Sequence, residues 1–117
     1  MTYLQVRQNK YYAQSSVYNG YSYHSKKEAA YAQELDLRVK AKDIKSWERQ
    51  IKISLDINGF HITNYYIDFI IIHNDKTKEY VEVKGFETDV WGLKWKMFEA
   101  LYSKKFERKG WQMTIVK

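Results

Sequence analysis

The residues of this chain best placed to do chemistry are Asp68, Glu82 and Lys84. They lie in the stretch Tyr66 to Gly85, Y-I-D-F-I-I-I-H-N-D-K-T-K-E-Y-V-E-V-K-G. Two β-prone runs, Tyr65 to Ile72 and Tyr80 to Val83, flank the polar turn Asn74-Asp75-Lys76-Thr77. Asp68 interrupts the first run, and Glu82 with Lys84 interrupts the second. A carboxylate inside a buried strand is costly unless something pairs with it. A structural ion pair would meet that need, and so would a divalent metal; the reading taken here is the metal. Glu82 and Lys84 are two residues apart, so on a strand they share a face. A turn centred on Asp75 sets Asp68 across from Glu82 on that face. A slip of one residue would set Asp68 across from Val83 and send the acids to opposite faces. Two carboxylates suit hard, oxygen-seeking Mg²⁺, with Mn²⁺ expected to substitute. Such an ion lowers the pKa of a bound water and neutralises charge building on a phosphoryl oxygen. A neighbouring lysine can orient or deprotonate the water, or stabilise the transition state. Those parts suffice for phosphodiester hydrolysis.

The composition is compatible with that chemistry. A chain of 117 residues has room for one domain with a real core. It holds no cysteine, which removes disulfides and Cys-based zinc and sets an intracellular, cytoplasmic location as the expectation. No signal peptide and no apolar run near the roughly 20 residues of a membrane span is seen, so no membrane partner is expected. Lys and Arg outnumber Asp and Glu by 20 to 14, a net charge of +6. The excess is clustered at Lys26-Lys27, at Arg38, Lys40 and Lys42, and from Lys94 to Lys109. That balance fits a polyanion, nucleic acid before membrane, although a solvated basic surface has the same composition. His24, His61 and His73 lack metal-ligand spacing, and no Gly-rich phosphate loop or nucleophilic Ser signature is present.

The elements that must position the acids can be read in order. Asn19-Gly20 between alternating aromatics predicts a hairpin after a polar, tyrosine-containing arm over residues 1–15. Ser25 and Glu28 form a capping box for a helix to about Ala41. Glu28, Ala32, Leu35 and Val39 lie on one stripe, which leaves Glu28 either a capping acid or an inward-facing site acid. Alternating Ile51, Ile53, Leu55 and Ile57 predict a strand over 46–57, and Asn58-Gly59 turns it into a second over 60–73, bent or bulged near Asn64. Counting outward from that turn sets Arg49 opposite Asp68. A third strand covers 78–84 and ends at Gly85. Glu87-Thr88-Asp89 offers caps for a helix over 90–108, on which Trp91, Trp95, Phe98 and Tyr102 make an apolar ridge. Gly110 stops it before a last strand over 111–116. The order predicts an α+β domain over 1–117: an arm and hairpin over 1–24, then a core over 25–117 whose helices flank a mixed sheet.

A helix bearing an acid, a hairpin bearing Asp, a strand bearing Glu-x-Lys, then a basic helix and a strand resembles the core of the PD-(D/E)XK nuclease superfamily. More narrowly, the chain is similar to small, mostly phage-encoded proteins within it related to Holliday-junction resolvases. The likeness is carried by Gly20, Tyr23 to Ala29, Tyr31, Glu34-Leu35, Gln50, Tyr66 to Phe69, Val81 to Gly85, Thr88, Leu93-Lys94, Lys96 and Phe98. It implies a restriction-endonuclease-like core and a Mg²⁺-dependent endonuclease of branched or junction DNA, acting as a homodimer in the host cytoplasm if phage-encoded. Asp68 and Glu82 would be metal ligands, Lys84 the catalytic lysine, and Glu28 the helix acid completing the site. Gln50 would be an auxiliary polar group near the scissile phosphate. Lys26, Lys27, Lys94 and Lys96 would meet the DNA backbone. Two departures are visible: no proline precedes Asp68, and Ile51 follows Gln50 where relatives often carry proline. The alternative is a non-catalytic nucleic-acid-binding module on the same fold, its acids a structural ion-pair network.

Overall fold

The computed structural model describes residues 16–84 and 88–117. The arm over residues 1–15 lies outside the described residues, as do the expected strand end at Gly85 and the cap candidate Glu87. Strands β1 (Ser16–Tyr18) and β2 (Tyr21–Tyr23) form the N-terminal hairpin, and helix α1 spans Lys26–Lys40. Strands β3 (Ser46–Ile57), β4 (Phe60–Ile72) and β5 (Lys78–Val83) follow, then helix α2 (Asp89–Lys109) and strand β6 (Gln112–Val116). Neighbours in the four-stranded sheet run β3-β4-β5-β6. The first three are antiparallel, and β6 lies parallel to β5. The fold is therefore α+β with a mixed sheet, as the element order predicts.

The local signals explain these boundaries. Asn19 and Asn58 take φ of 52° and 53°, each followed by a glycine at 83°, the twist that a tight two-residue hairpin demands. Ser25 caps α1 by accepting from Glu28 N at 3.1 Å, and Thr88 caps α2 by accepting from Trp91 N at 3.1 Å. Gly110 closes α2 at φ 71°, while Trp111 N donates back to Phe106 O at 2.8 Å.

Two features of β3 and β4 depart from simple alternation. The bulge falls at Leu55/Asp56, where Asp56 pairs with His61 and Leu55 with Thr63. Ile62 is thus the extra residue, two positions before the expected Asn64. That single insertion shifts the register, so Arg49 pairs with Phe69 and not with Asp68. The ladder then skips Gln50 and Asp68, which sit between the pairs Arg49↔Phe69 and Ile51↔Ile67. Gln50 has a left-handed φ of 51°. Across this break both strands exchange faces. Trp47, Phe69 and Ile71 pack into the α1-side core with Ala32, Leu35 and Val81. Ile51, Ile53, Tyr65 and Ile67, all at odd positions as well, pack into the α2-side core with Trp95, Phe98 and Phe106.

The ridge on α2 is core packing. Phe98 is fully buried, with the rings of Trp95, Phe106, Tyr65 and Tyr80 centred 5.5 to 5.8 Å away. Phe98→Ala should lower stability by about 3–5 kcal/mol. Urea denaturation checks this: the midpoint should fall with an unchanged m-value.

Candidate functional site

Among the described residues three charged ones are almost shut from water: Glu28, Asp68 and Glu82, at 3%, 8% and 1% exposure. Strand pairing brings the last two together. The pairs Phe69↔Val81, Ile70↔Tyr80 and Ile71↔Glu79 fix a register centred on Asp75, which carried one step further sets Asp68 across from Glu82. At that step the side chains take over from the backbone. Asp68 N donates to Glu82 Oε1 at 3.3 Å, and Val83 N donates to Asp68 Oδ2 at 2.9 Å. Each carboxylate thus closes a backbone donor of the opposite strand where the ladder ends. Glu28 comes from the first turn of α1, and its Oε1 accepts from Gln50 Nε2 at 3.3 Å. Gln50 reaches it because the left-handed residue falls at the break in β3.

Burial raises the affinity of all three acids for protons, and repulsion adds to it at Glu28 and Asp68. The Glu28 carboxyl is pushed from 4.5 to about 7, first by burial and then by the Glu82 charge, against the pull of Arg49 and Lys84. Asp68 is pushed from 3.8 to about 8 by burial and by the charges of Glu28 and Glu82, and the Val83 N–H offsets part of this. Burial also raises Glu82, while Lys84, Tyr65 and the Asp68 N–H hold it down. The Tyr65 phenol is driven well above its ordinary range by burial and by Glu82. These are groups made to titrate by desolvation and like charge.

Among the described residues Lys84 is the cation that ion-pairs with this cluster. Its Nζ lies 3.4 Å from Glu82 Oε2 and 4.4 Å from the centre of the Trp91 ring. Lys27 Nζ donates to Lys84 O at 3.1 Å, which places it at the same strand end. Lys26 is exposed one residue earlier. Lys96 shares a shallow groove with Thr88, Trp91 and Leu93 beside the site. No contact draws Lys94, half-buried on α2, toward the acids.

The donor set fits a hard divalent cation in kind: three carboxylates close enough to repel, with Lys84 in direct contact with Glu82. In arrangement it is looser. Among the described residues no three His, Cys, Asp or Glu side chains are close enough together to hold a metal as they stand. Asp68 and Glu82 are the pair that would hold the ion, with Glu28 reaching it through a side-chain shift and water filling other positions.

Two contributors are not visible in the sequence pattern. Trp91, read as one residue of the apolar ridge, donates through Nε1 to Glu82 Oε2 at 3.1 Å and to Tyr65 OH at 3.2 Å. Its place three residues after the Thr88 cap, at the start of the ridge, is the only local signal that it differs from Trp95. Arg49, shifted by the bulge, stands beside the site without touching the acids. A cavity of about 460 Å³ lined by Tyr18, Gln33, Asp36, Leu37, Val39 and Lys40 contains none of the acids and takes no part in their chemistry.

Fold and site together define an α+β domain with a buried carboxylate cluster at the open end of a mixed sheet. The family described as "Protein of unknown function (DUF1064)" matches residues 8–117, and the chain belongs to that family. No curated protein matches the chain. No solved structure matches it either. No helix among the described residues is long and apolar enough to cross a membrane.

The raised carboxyls make stability depend on pH. Between pH 5 and 8 the unfolded chain has lost protons that the folded site retains, since Glu28 rises from 4.5 to about 7 and Asp68 from 3.8 to about 8. The folded state binds more protons there, so stability must fall as pH rises through this window. Urea midpoints in EDTA at pH 5.5 and 8.5 should show that fall. Asp68→Asn, which keeps the acceptor for Val83 N–H, should shrink it, and a slope unchanged in this variant would contradict the assignment.

Proposed function

We propose that the chain is a Mg²⁺-dependent DNA endonuclease with a PD-(D/E)XK-type core, selective for junction or branched DNA and acting as a homodimer. The observation that carries the reading is the placement of Asp68 and Glu82 side by side on adjacent strands, with Lys84 Nζ 3.4 Å from Glu82. A divalent ion held by Asp68 and Glu82 would supply an acidified water and charge neutralisation at the scissile phosphate. Asp68 and Glu82 hold their side chains in position through the backbone of the opposite strand, so the donors are preorganised before any ligand arrives. Lys84 is restricted by the Trp91 ring and faces the acids, where its ammonium orients the attacking water or meets the developing negative charge. Gln50 fixes Glu28 and presents its amide toward the phosphate. Lys26, Lys27 and Lys96 flank the cluster and track the backbone of the strand; Lys94 is assigned to the same surface further along α2.

A second reading has its own support. The bonds from Asp68 N to Glu82 and from Val83 N to Asp68 give both acids a structural use. On that reading the chain binds nucleic acid without cutting it.

Four-way-junction, flap, linear duplex and single-stranded DNA, each with Mg²⁺ or EDTA, separate the two. Mg²⁺-dependent cutting of the branched substrates is expected. Asp68→Asn and Lys84→Ala should still bind DNA while cleavage falls by roughly 10²-fold or more. Undiminished cutting by both variants would remove this site from the chemistry, and binding without cutting of any substrate would favour the second reading.

A further inference from the structure

We infer that Arg49, seated on the tyrosines of the β1–β2 hairpin, is a phosphate-binding residue for the nucleic-acid strand that enters the carboxylate site. The inference rests on the nucleic-acid reading above and adds a subsite to it. Arg49 is one residue before Gln50 and pairs across the sheet with Phe69, the neighbour of Asp68. It therefore borders the acids on the α1 side. Arg49 does not ion-pair: the salt bridges among the described residues are His61–Asp56, His73–Glu79 and Lys84–Glu82.

The guanidinium is nevertheless held firmly. Its Cζ lies 4.7 Å from the centre of the Tyr23 ring and 5.0 Å from that of Tyr21. Nη2 donates to Ser22 O at 2.8 Å. Of five N–H donors, that bond is the one made to a described residue. Nε is buried with no acceptor, and so is the Tyr23 hydroxyl. The Arg49 charge acts on Glu28, yet the residue makes neither a hydrogen bond nor an ion pair with that carboxylate. Two aromatic rings and a carbonyl fix the plane, and among the described residues no acceptor is bonded to Nη1. A planar fork held on aromatic faces suits a phosphodiester, which takes two parallel N–H donors. The hairpin then has a task in the site: Tyr21, Ser22 and Tyr23 are the bed on which the arginine lies.

The test is DNA binding in EDTA, read by fluorescence anisotropy of labelled four-way-junction and linear duplex DNA over a salt series. Arg49→Met should weaken binding to both probes and flatten the slope of log Kd against log salt by about one contact's worth, roughly 0.9. Arg49→Lys keeps a charge and should hold most of the slope, yet with Mg²⁺ its cleavage should stay well below wild type because the fork is lost. A structural role would move thermal stability alone. Wild-type slope and affinity in Arg49→Met overturn the inference, as does a loss of slope no greater than that of Lys40→Met, a lysine at the far end of α1. If Arg49→Met does not fold, Arg49→Gln and Arg49→Lys carry the same comparison. A wild type that binds but never cuts removes the nuclease reading and leaves the subsite to be judged by slope; a wild type that does not bind DNA overturns both.

Discussion

Three carboxylates buried at one point repel one another, and much of the surrounding structure is explained by what it takes to hold them there. Each is met by a donor from a different element. Val83 N–H serves Asp68, Asp68 N–H and the Trp91 indole serve Glu82, and the Gln50 amide serves Glu28. An unpaired buried charge would be far more costly than any of these bonds is favourable. The donors thus dictate geometry. Trp91 has to sit in the first turn of α2, so the Thr88 cap is fixed; Val83 has to lie one step beyond Glu82 on the register that the Asp75 turn sets. The carboxylates still remain under-compensated: burial raises all three, and like charge adds to it at Glu28 and Asp68.

The exchange of faces at Gln50 and Asp68 is how acids from opposite sides of a sheet come to meet. α1 and α2 pack on different faces, with Phe69 and Ile71 toward one and Ile67 and Ile70 toward the other. Glu28 belongs to the α1 layer. Glu82 shares its strand face with Tyr80, which packs in the α2 layer. In an unbroken sheet these two would be separated by the thickness of the strands. A left-handed residue such as Gln50 is strained by about 1–3 kcal/mol, and here the strain falls where β3 and β4 turn over together. The break keeps the register on either side, so the core does not lose its packing.

Much of this is legible in the sequence, and the reasons are local. Asn-Gly pairs, Ser25 and Thr88 caps, Gly110 and the alternation of Ile51 to Ile57 each declare an element through chemistry confined to a few residues. The Asp75 turn does the same for the β4–β5 register, and so the pairing of Asp68 with Glu82 follows from counting. Counting fails across β3 and β4 for one reason. The extra residue Ile62 is chemically indistinguishable from a strand residue, so nothing marks the bulge that moves Arg49 from Asp68 to Phe69. The exchange of faces is hidden for a similar reason, since glutamine has no preference that announces a left-handed φ. Trp91 was visible as an aromatic at helical spacing, but the direction of its indole N–H is a tertiary fact.

What the fold needs from Asp68 and Glu82 is oxygen acceptors, not negative charge. An asparagine could accept from Val83 N–H, and a glutamine could accept from Asp68 N–H, without the repulsion that now links the site to Glu28. The same contrast holds for the cations. Lys84 is set over Trp91 and Arg49 over Tyr21 and Tyr23, so aromatic faces fix both beside the acids while only Lys84 touches one. Carboxylates kept charged-capable, with Lys84 meeting Glu82 alone and Arg49 held apart, are a poor arrangement for stability alone. They are a serviceable one for a cation and a phosphate arriving together, and the proposed chemistry depends on that separation.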